Sequence, residues 1–184
     1  MLSRPLMLKR TLKVVEIHSE TGDWNLTRET VFSRDVFQST KVATVKADFG
    51  EIKRRLVTLS PEAFELFSRA TADTAKYINL IAIFTVYPSF RGFMSDSVYH
   101  RVQMGNRELV KMHYHQYIEE LKYSHEELRY KRDVTIEKSA QFVFQILRET
   151  GIVEGERVIP PLLPYEVAGL PELNDPGIKR ALLQ

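Results

Sequence analysis

The sequence predicts an all-α protein, a compact multi-helix bundle organised as one domain or two helical lobes, with a single short β-hairpin near the carboxyl end. Three observations carry this. Apolar residues recur at helical spacing, as in Ile136, Ala140, Val143, Phe144 and Leu147. Helix start and stop signals are frequent, Ser60-Pro61-Glu62 being the strongest: a capping hydroxyl, a proline at the first helical position and an acid near the positive end. Apolar alternation about a turn residue appears in residues 152–159, around Gly155. The 184 residues, 43% hydrophobic and 27% charged, suffice for a buried core and exclude disorder of the whole chain.

Taken in order, a first helix is expected over residues 6–18, closed by Thr21-Gly22-Asp23. Asn25 or Thr27 is the expected cap of a second, reaching Phe32 or Phe37, and Ser39 that of a third, reaching Leu56. A fourth follows Ser60 to about Ala70. The most apolar stretch, residues 77–87, belongs to a core helix over 72–87 that Pro88 ends. Its eleven residues span about 16 Å as a helix against a bilayer core of about 30 Å, so a membrane span is rejected. Further helices are expected over 89–104, from Asn106 to about Tyr123, from Ser124 onward, and over 135–150 with Gly151 beyond the end. The hairpin 152–159 follows. Pro161, Pro164, Pro171 and Pro176 make the end an irregular packed tail. The division read from this order is a basic, helix-turn-helix-like region over 1–58 and a helical bundle with hairpin and tail over 59–184.

Charge is unevenly placed. The formal net charge is +2, but residues 1–56 hold eleven Lys/Arg against seven Asp/Glu, +4, which leaves −2 for the rest. There is no cysteine, which excludes disulfides, zinc–thiolate sites and a cysteine nucleophile and suits a reducing cytosol. No secretory leader pattern opens the chain, and a cytoplasmic location is expected.

Residues 39–56 are the candidate site. At 100° per residue, Val42, Val45, Phe49, Ile52 and Leu56 form a core stripe. Thr40, Ala43, Thr44 and Ala47 lie opposite, small enough to let a backbone approach a groove. Lys41 and Lys46 flank the stripe, and Lys53, Arg54 and Arg55 cluster at the far end. A helix with a small outer face and basic flanks suits the major groove of DNA, with cations on the phosphate walls. Lys9, Arg10 and Lys13 on the first helix would add backbone contacts. Against this, Asp48 and Glu51 share the helix, and most basic helix faces are simply solvated.

The sequence also resembles the BrxA family of bacterial BREX phage-defence systems. The matching segments are Gly22-Asp23-Trp24, Ser39 through Ile52-Lys53-Arg54-Arg55-Leu56, Thr58-Leu59-Ser60-Pro61-Glu62, Tyr87-Pro88 with Phe90-Arg91, Leu147-Arg148-Glu149-Thr150-Gly151-Ile152 and Pro160-Pro161-Leu162-Leu163. The likeness covers nearly the whole chain and is weakest over residues 1–20. It implies a helical fold related to NusB, double-stranded DNA binding, and a role beside the system's methyltransferase, phosphatase-like protein and ATPases. It supplies no catalytic residue. The resulting expectation is a non-catalytic DNA-binding accessory protein, without cofactor or metal. The alternatives are a protein-interaction adaptor and, third, an RNA binder.

Other chemistry is weaker. His113 and His115 are two apart and point away from one another on a helix. Glu119-Glu120 and Glu126-Glu127 read as solvent faces rather than magnesium ligands. Asp96 and His100 read as a helix-face hydrogen bond rather than a dyad. No glycine precedes a lysine, so there is no phosphate-binding loop. Tyr99, Tyr114, Tyr117, Tyr123 and Tyr130 read as packing before base stacking. Arg91 reads as a carbonyl cap or a phosphate contact. Helix 135–150 with its hairpin admits a winged-helix reading with Arg157 on the wing, second to a hairpin that closes the core edge.

Overall fold

A computed structural model describes the backbone of residues 1–184 and every side chain except that of Glu127, so the Glu126-Glu127 pair falls outside the described residues. The fold is all-α. Its elements in chain order are α1 (Leu8–Thr21), α2 (Trp24–Ser33), α3 (Val42–Leu56), α4 (Pro61–Arg69), α5 (Ala72–Val86), α6 (Pro88–Gly92), a π-helical turn (Phe93–Val98), α7 (Tyr99–Gln103), α8 (Lys111–Ser124), α9 (Glu126–Arg129), α10 (Asp133–Glu149), β1 (Val153–Glu154), β2 (Arg157–Val158), α11 (Tyr165–Ala168), a 3-10 turn (Pro171–Asn174) and α12 (Pro176–Ala181). The chain divides into two compact units. One holds residues 7–86 and 163–172, the other residues 1–6, 87–162 and 173–184. A boundary at residue 58 does not coincide with this partition, since α1 to α5 share one unit.

In the first unit, α5 is the hub. Tyr77 through Phe84 are all buried, and α1, α3, α4 and α11 pack on it. Burial on every side explains why this helix has no polar face. Each Ile, Leu or Phe sealed here contributes about 1.5–3 kcal/mol. Ser60 caps α4 as expected, its hydroxyl accepting from the Ala63 N–H at 3.1 Å. The cap of α2 is Asp23, not Asn25 or Thr27: Asp23 Oδ1 accepts from the Asn25 and Leu26 N–H groups at 2.7 and 2.9 Å. A carboxylate two residues ahead reaches both orphan donors, whereas the expected caps are already helical.

The stretch between α2 and α3, residues 34–41, departs from a helix-turn-helix, whose turn has about three or four residues. It bends without glycine by placing Asp35 and Gln38 at positive φ, 43° and 49°. Ser39 does not cap α3. Lys41 is at that position and offers no side-chain acceptor.

In the second unit, the helix expected over 89–104 runs from Pro88 to Gln103 with a π-helical turn inside it. Pro88 ends one helix and opens the next, because it lacks the N–H that the first turn of a helix leaves unpaired anyway. Asn106 does not begin α8. Residues 107–109 instead run extended beside the hairpin, with the Val158 N–H donating to the Arg107 carbonyl (2.8 Å) and the Leu109 N–H to that of Glu156 (2.7 Å). The hairpin registers Val153 on Val158 and Glu154 on Arg157 about Gly155, which sits at φ 58°. Ile136, Ala140, Val143, Phe144 and Leu147 of α10 are buried as expected. Tyr114 is sealed beneath them, its hydroxyl 2.8 Å from Ser139 Oγ. No helix among the described residues is long and apolar enough to cross a membrane.

Candidate nucleic-acid interface

Helix α3 buries Val45, Phe49, Ile52 and Leu56 as its period demands. Val42 leaves the expected core stripe: as the first helical residue it lies beyond the packed part of the helix and is 69% exposed. Two acids and an arginine also turn inward. Asp48 and Glu51 are 3% and 8% exposed, and Arg55 is wholly buried. Their charges are matched. Arg10 of α1 pairs with Asp48 and lies over the Phe37 ring, 5.3 Å from its centre. Arg55 Nε donates to Glu51 Oε1 at 2.8 Å, and Arg54 to Oε2 at 2.6 Å.

Arg55 is thereby removed from the DNA-facing set. A guanidinium sealed against a carboxylate reaches no phosphate, and its role is to neutralise Glu51 inside the fold. Arg10 is mainly the partner of Asp48. Lys13 is exposed but donates to the Val36 carbonyl at 3.1 Å. Lys9 is exposed one turn earlier on α1.

The same inward pairing clears the outer face of α3. Ala43, Lys46, Ala47, Gly50 and Arg54 are exposed and Lys53 half-buried. At 100° per residue these six lie within about 120° of arc. No carboxylate lies within that arc: Asp48 is buried toward the core, and Glu51, next to the arc on the helical wheel, is buried and takes Arg54, which leaves Lys46 and Lys53 as the arc's cations with no acid partner among the described residues. Thr40 and Lys41 stand exposed at its amino end, with Thr44 half-buried. The first turn has neither an acid nor a side-chain cap, so the positive end of the helix faces outward beside Lys41.

Lys53 is held by the Gly22-Asp23-Trp24 corner. Gly22 takes φ 64° to close α1, Asp23 starts α2, and Trp24 stacks on His18 with ring centres 3.8 Å apart. The Lys53 ammonium lies 5.6 Å from the Trp24 ring centre. Burial pushes the His18 imidazole below its usual range, with Lys53 adding in the same direction and Asp23 opposing.

Gly50 is a residue the sequence pattern left unremarked. It sits inside α3, exposed, and a Cβ there would meet nothing within 4 Å. A glycine in a helix interior costs about 0.5–1 kcal/mol relative to alanine, and no internal packing requires it. The visible signal is a lone glycine within an otherwise helical stretch.

The remaining candidates separate into structural roles. His113 Nδ1 accepts from the Val110 N–H (3.1 Å), and His115 Nε2 lies 3.0 Å from Glu137. Glu119 pairs with Lys122, and Arg91 with Asp175 at 3.1 Å. Asp96 takes the Ser95 hydroxyl at 2.7 Å rather than His100. Tyr114 is buried, Tyr117 half-buried, and Tyr123 and Tyr130 exposed. Arg157 is exposed on β2, where its backbone pairs antiparallel with that of Glu108. Among the described residues no three His, Asp or Glu side chains converge as metal ligands would.

The BrxA family model matches residues 1–170. The chain belongs to the BrxA family. BrxA membership ties it to BREX phage defence, and the Gly22-Asp23-Trp24 and 39–56 segments that carry the resemblance prove to be the corner and the helix just described. The fold of this BrxA chain is similar to the crystal structure of an uncharacterized protein from Magnetospirillum magneticum, with a TM-score of 0.80 and 20% identity over 97% of this chain and 93% of that one. At that identity the likeness speaks to the fold alone. No curated protein matches the chain.

Proposed function

We propose that this BrxA-family chain is a non-catalytic accessory protein of BREX defence that acts in the cytoplasm and binds double-stranded DNA through the outer face of α3. One observation carries the reading: Asp48 and Glu51 are buried, so Lys46 and Lys53 stand on a face with no exposed acid, beside Arg54, which is half-exposed and shares the Glu51 charge. Ala43, Ala47 and Gly50 let that face approach a duplex closely. The cations would meet the phosphate walls, and the open amino end at Thr40 and Lys41 would add backbone N–H donors. With the cations on the phosphate walls and only Ala and Gly toward the bases, sequence preference should be low.

Fluorescence anisotropy with a random-sequence duplex, measured over a salt series, tests this. Affinity should fall steeply with salt. The variant Lys41→Ala/Lys46→Ala/Lys53→Ala should bind more weakly, with the log–log salt slope reduced by about 0.9 for each phosphate that is no longer neutralised. Arg55 stays out of the variant, since changing it would perturb folding. Unchanged duplex affinity in a variant of unchanged melting temperature would overturn the reading, and preference for a structured RNA competitor would redirect it.

The adaptor reading rests on Val42 and Val57, 69% and 55% exposed at the two ends of α3. On that reading the same face docks a methyltransferase, phosphatase-like protein or ATPase of the system. Stable co-purification of such a partner, lost in Val42→Asp and accompanied by no duplex binding, would favour it.

A further inference from the structure

In the second unit, α6, the π-helical turn, α8, α9 and α12 surround a cleft of about 800 Å³, within the size range of small-molecule sites. Several groups lining it are uncommitted within the protein. Lys131 and Arg180 are exposed and take part in no ion pair among the described residues. Ser89 has a buried hydroxyl with no hydrogen-bond partner, a state that native structures rarely leave unexplained. Tyr117 is more than half buried, and burial, reinforced by Asp96, pushes its phenol up to about 12. It therefore stays a neutral donor. The wall is closely fitted: a Cβ on Gly92 would come within 2.2 Å of the Tyr117 hydroxyl. The π-helical turn itself is a rare geometry that tends to accompany function.

The two carboxylates of the cleft are not equivalent. Asp175 is engaged inside the fold, taking Arg91 at 3.1 Å and the Gly177 N–H at 2.7 Å. Among the described residues Asp96 holds only the Ser95 hydroxyl, and it keeps acceptor capacity. Two cations with no ion pair among the described residues, a phenol beside apolar Leu121, and one carboxylate form an asymmetric set. It suits a molecule that is anionic at one end and carries hydroxyl or amino groups at the other.

We propose that this cleft binds a phosphate-bearing small molecule of nucleotide size, with Lys131 and Arg180 on the phosphate, Tyr117 against the ring and Asp96 on its hydroxyl or amino groups. The site shares no residue with α3 and does not rest on duplex binding.

Isothermal titration calorimetry of the full chain with AMP, ATP and inorganic phosphate tests it. A nucleotide should bind saturably below millimolar concentration, and Lys131→Ala/Arg180→Ala should weaken it at least tenfold. Ser89→Ala should weaken it several-fold while leaving the ligand-free melting temperature unchanged or higher, because it deletes an unpaired buried hydroxyl. No saturable nucleotide binding would overturn the proposal, as would binding indifferent to both variants. Inorganic phosphate binding as tightly as AMP would also overturn it. So would displacement of AMP by duplex DNA, which would assign the cleft to a nucleic-acid backbone.

Discussion

Arg55 and Glu51 meet one helical turn apart inside α3, Nε donating to Oε1 at 2.8 Å, and their burial determines which charges the helix shows to solvent. Glu51 is also the partner of Arg54, and Asp48 that of Arg10. Acids that would cancel a basic face are neutralised from within.

Breaking this pair should be expensive, because it leaves the buried Glu51 with only the half-exposed Arg54 as a partner. Arg55→Met is expected to lower unfolding free energy by about 3–5 kcal/mol, and Glu51→Gln/Arg55→Met to recover much of that loss. Urea denaturation of the two variants measures it. A loss below about 1 kcal/mol for Arg55→Met would show that water or Arg54 already carries the Glu51 charge.

Gly50 separates stability from binding. Gly50→Ala should raise stability by about 0.5–1 kcal/mol, since the site is helical and open. Gly50→Trp should fold normally yet bind duplex DNA more weakly, by standing between α3 and the groove. Equal affinity of the Trp variant and the parent protein would remove α3's outer face from the interface.

Stability should decline as pH falls, in two steps of the same sign. The His18 imidazole titrates below its usual 6.5 in the folded protein, so the unfolded chain takes up the proton first and folding weakens as pH drops below about 6.5. Asp23 is held below the usual carboxylate range by the Leu26 N–H, then that of Asn25. Its contribution is complete above the unfolded carboxyl range and fades as pH falls through the folded value. Melting temperatures from pH 8 to 3 should show the first step diminished in His18→Gln and the second in Asp23→Asn.

Tyr114 and Ser139 should be coupled. Tyr114→Phe leaves the buried Ser139 hydroxyl without its 2.8 Å partner, and Ser139→Ala does the converse. A double-mutant cycle read by chemical denaturation should return about 1 kcal/mol of coupling. Strict additivity would mean that each hydroxyl finds another partner.

Much of the fold was legible because helical period and capping chemistry are local. The Ser60 cap, the buried α5, the stripe on α10 and the turn at Gly155 all follow from residues within a few positions of one another. The misplaced caps fail for a local reason as well: Asp23, Asn25 and Thr27 are all competent acceptors, and only the direction from which the chain enters α2 selects Asp23. The π-helical turn and the strand-like segment 107–109 left no sequence signal, since both arise from packing against distant elements.

The candidate site was half legible. Period alone placed Val45, Phe49, Ile52 and Leu56 inward, Ala43 and Ala47 outward and Lys46 on the flank, and it misplaced only Val42 among the apolar residues of the stripe. It could not place Asp48 and Arg55, which lie near the margin of the stripe, where either solvent or a neighbouring helix could receive them, and it puts Glu51 on the small-residue side, whereas the structure buries it.

What the chain determined by itself is an all-α protein with a basic amino-terminal third and a helix that has an apolar and a small-residue side, because these depend on composition and on the 3.6-residue repeat. The tertiary structure decided which charges are available. Arg10 of α1 reaches Asp48 across 38 positions of sequence, and neighbouring helices bury Glu51 with Arg55. An ion pair between distant segments depends on where helices pack, and a helical period contains no information about that.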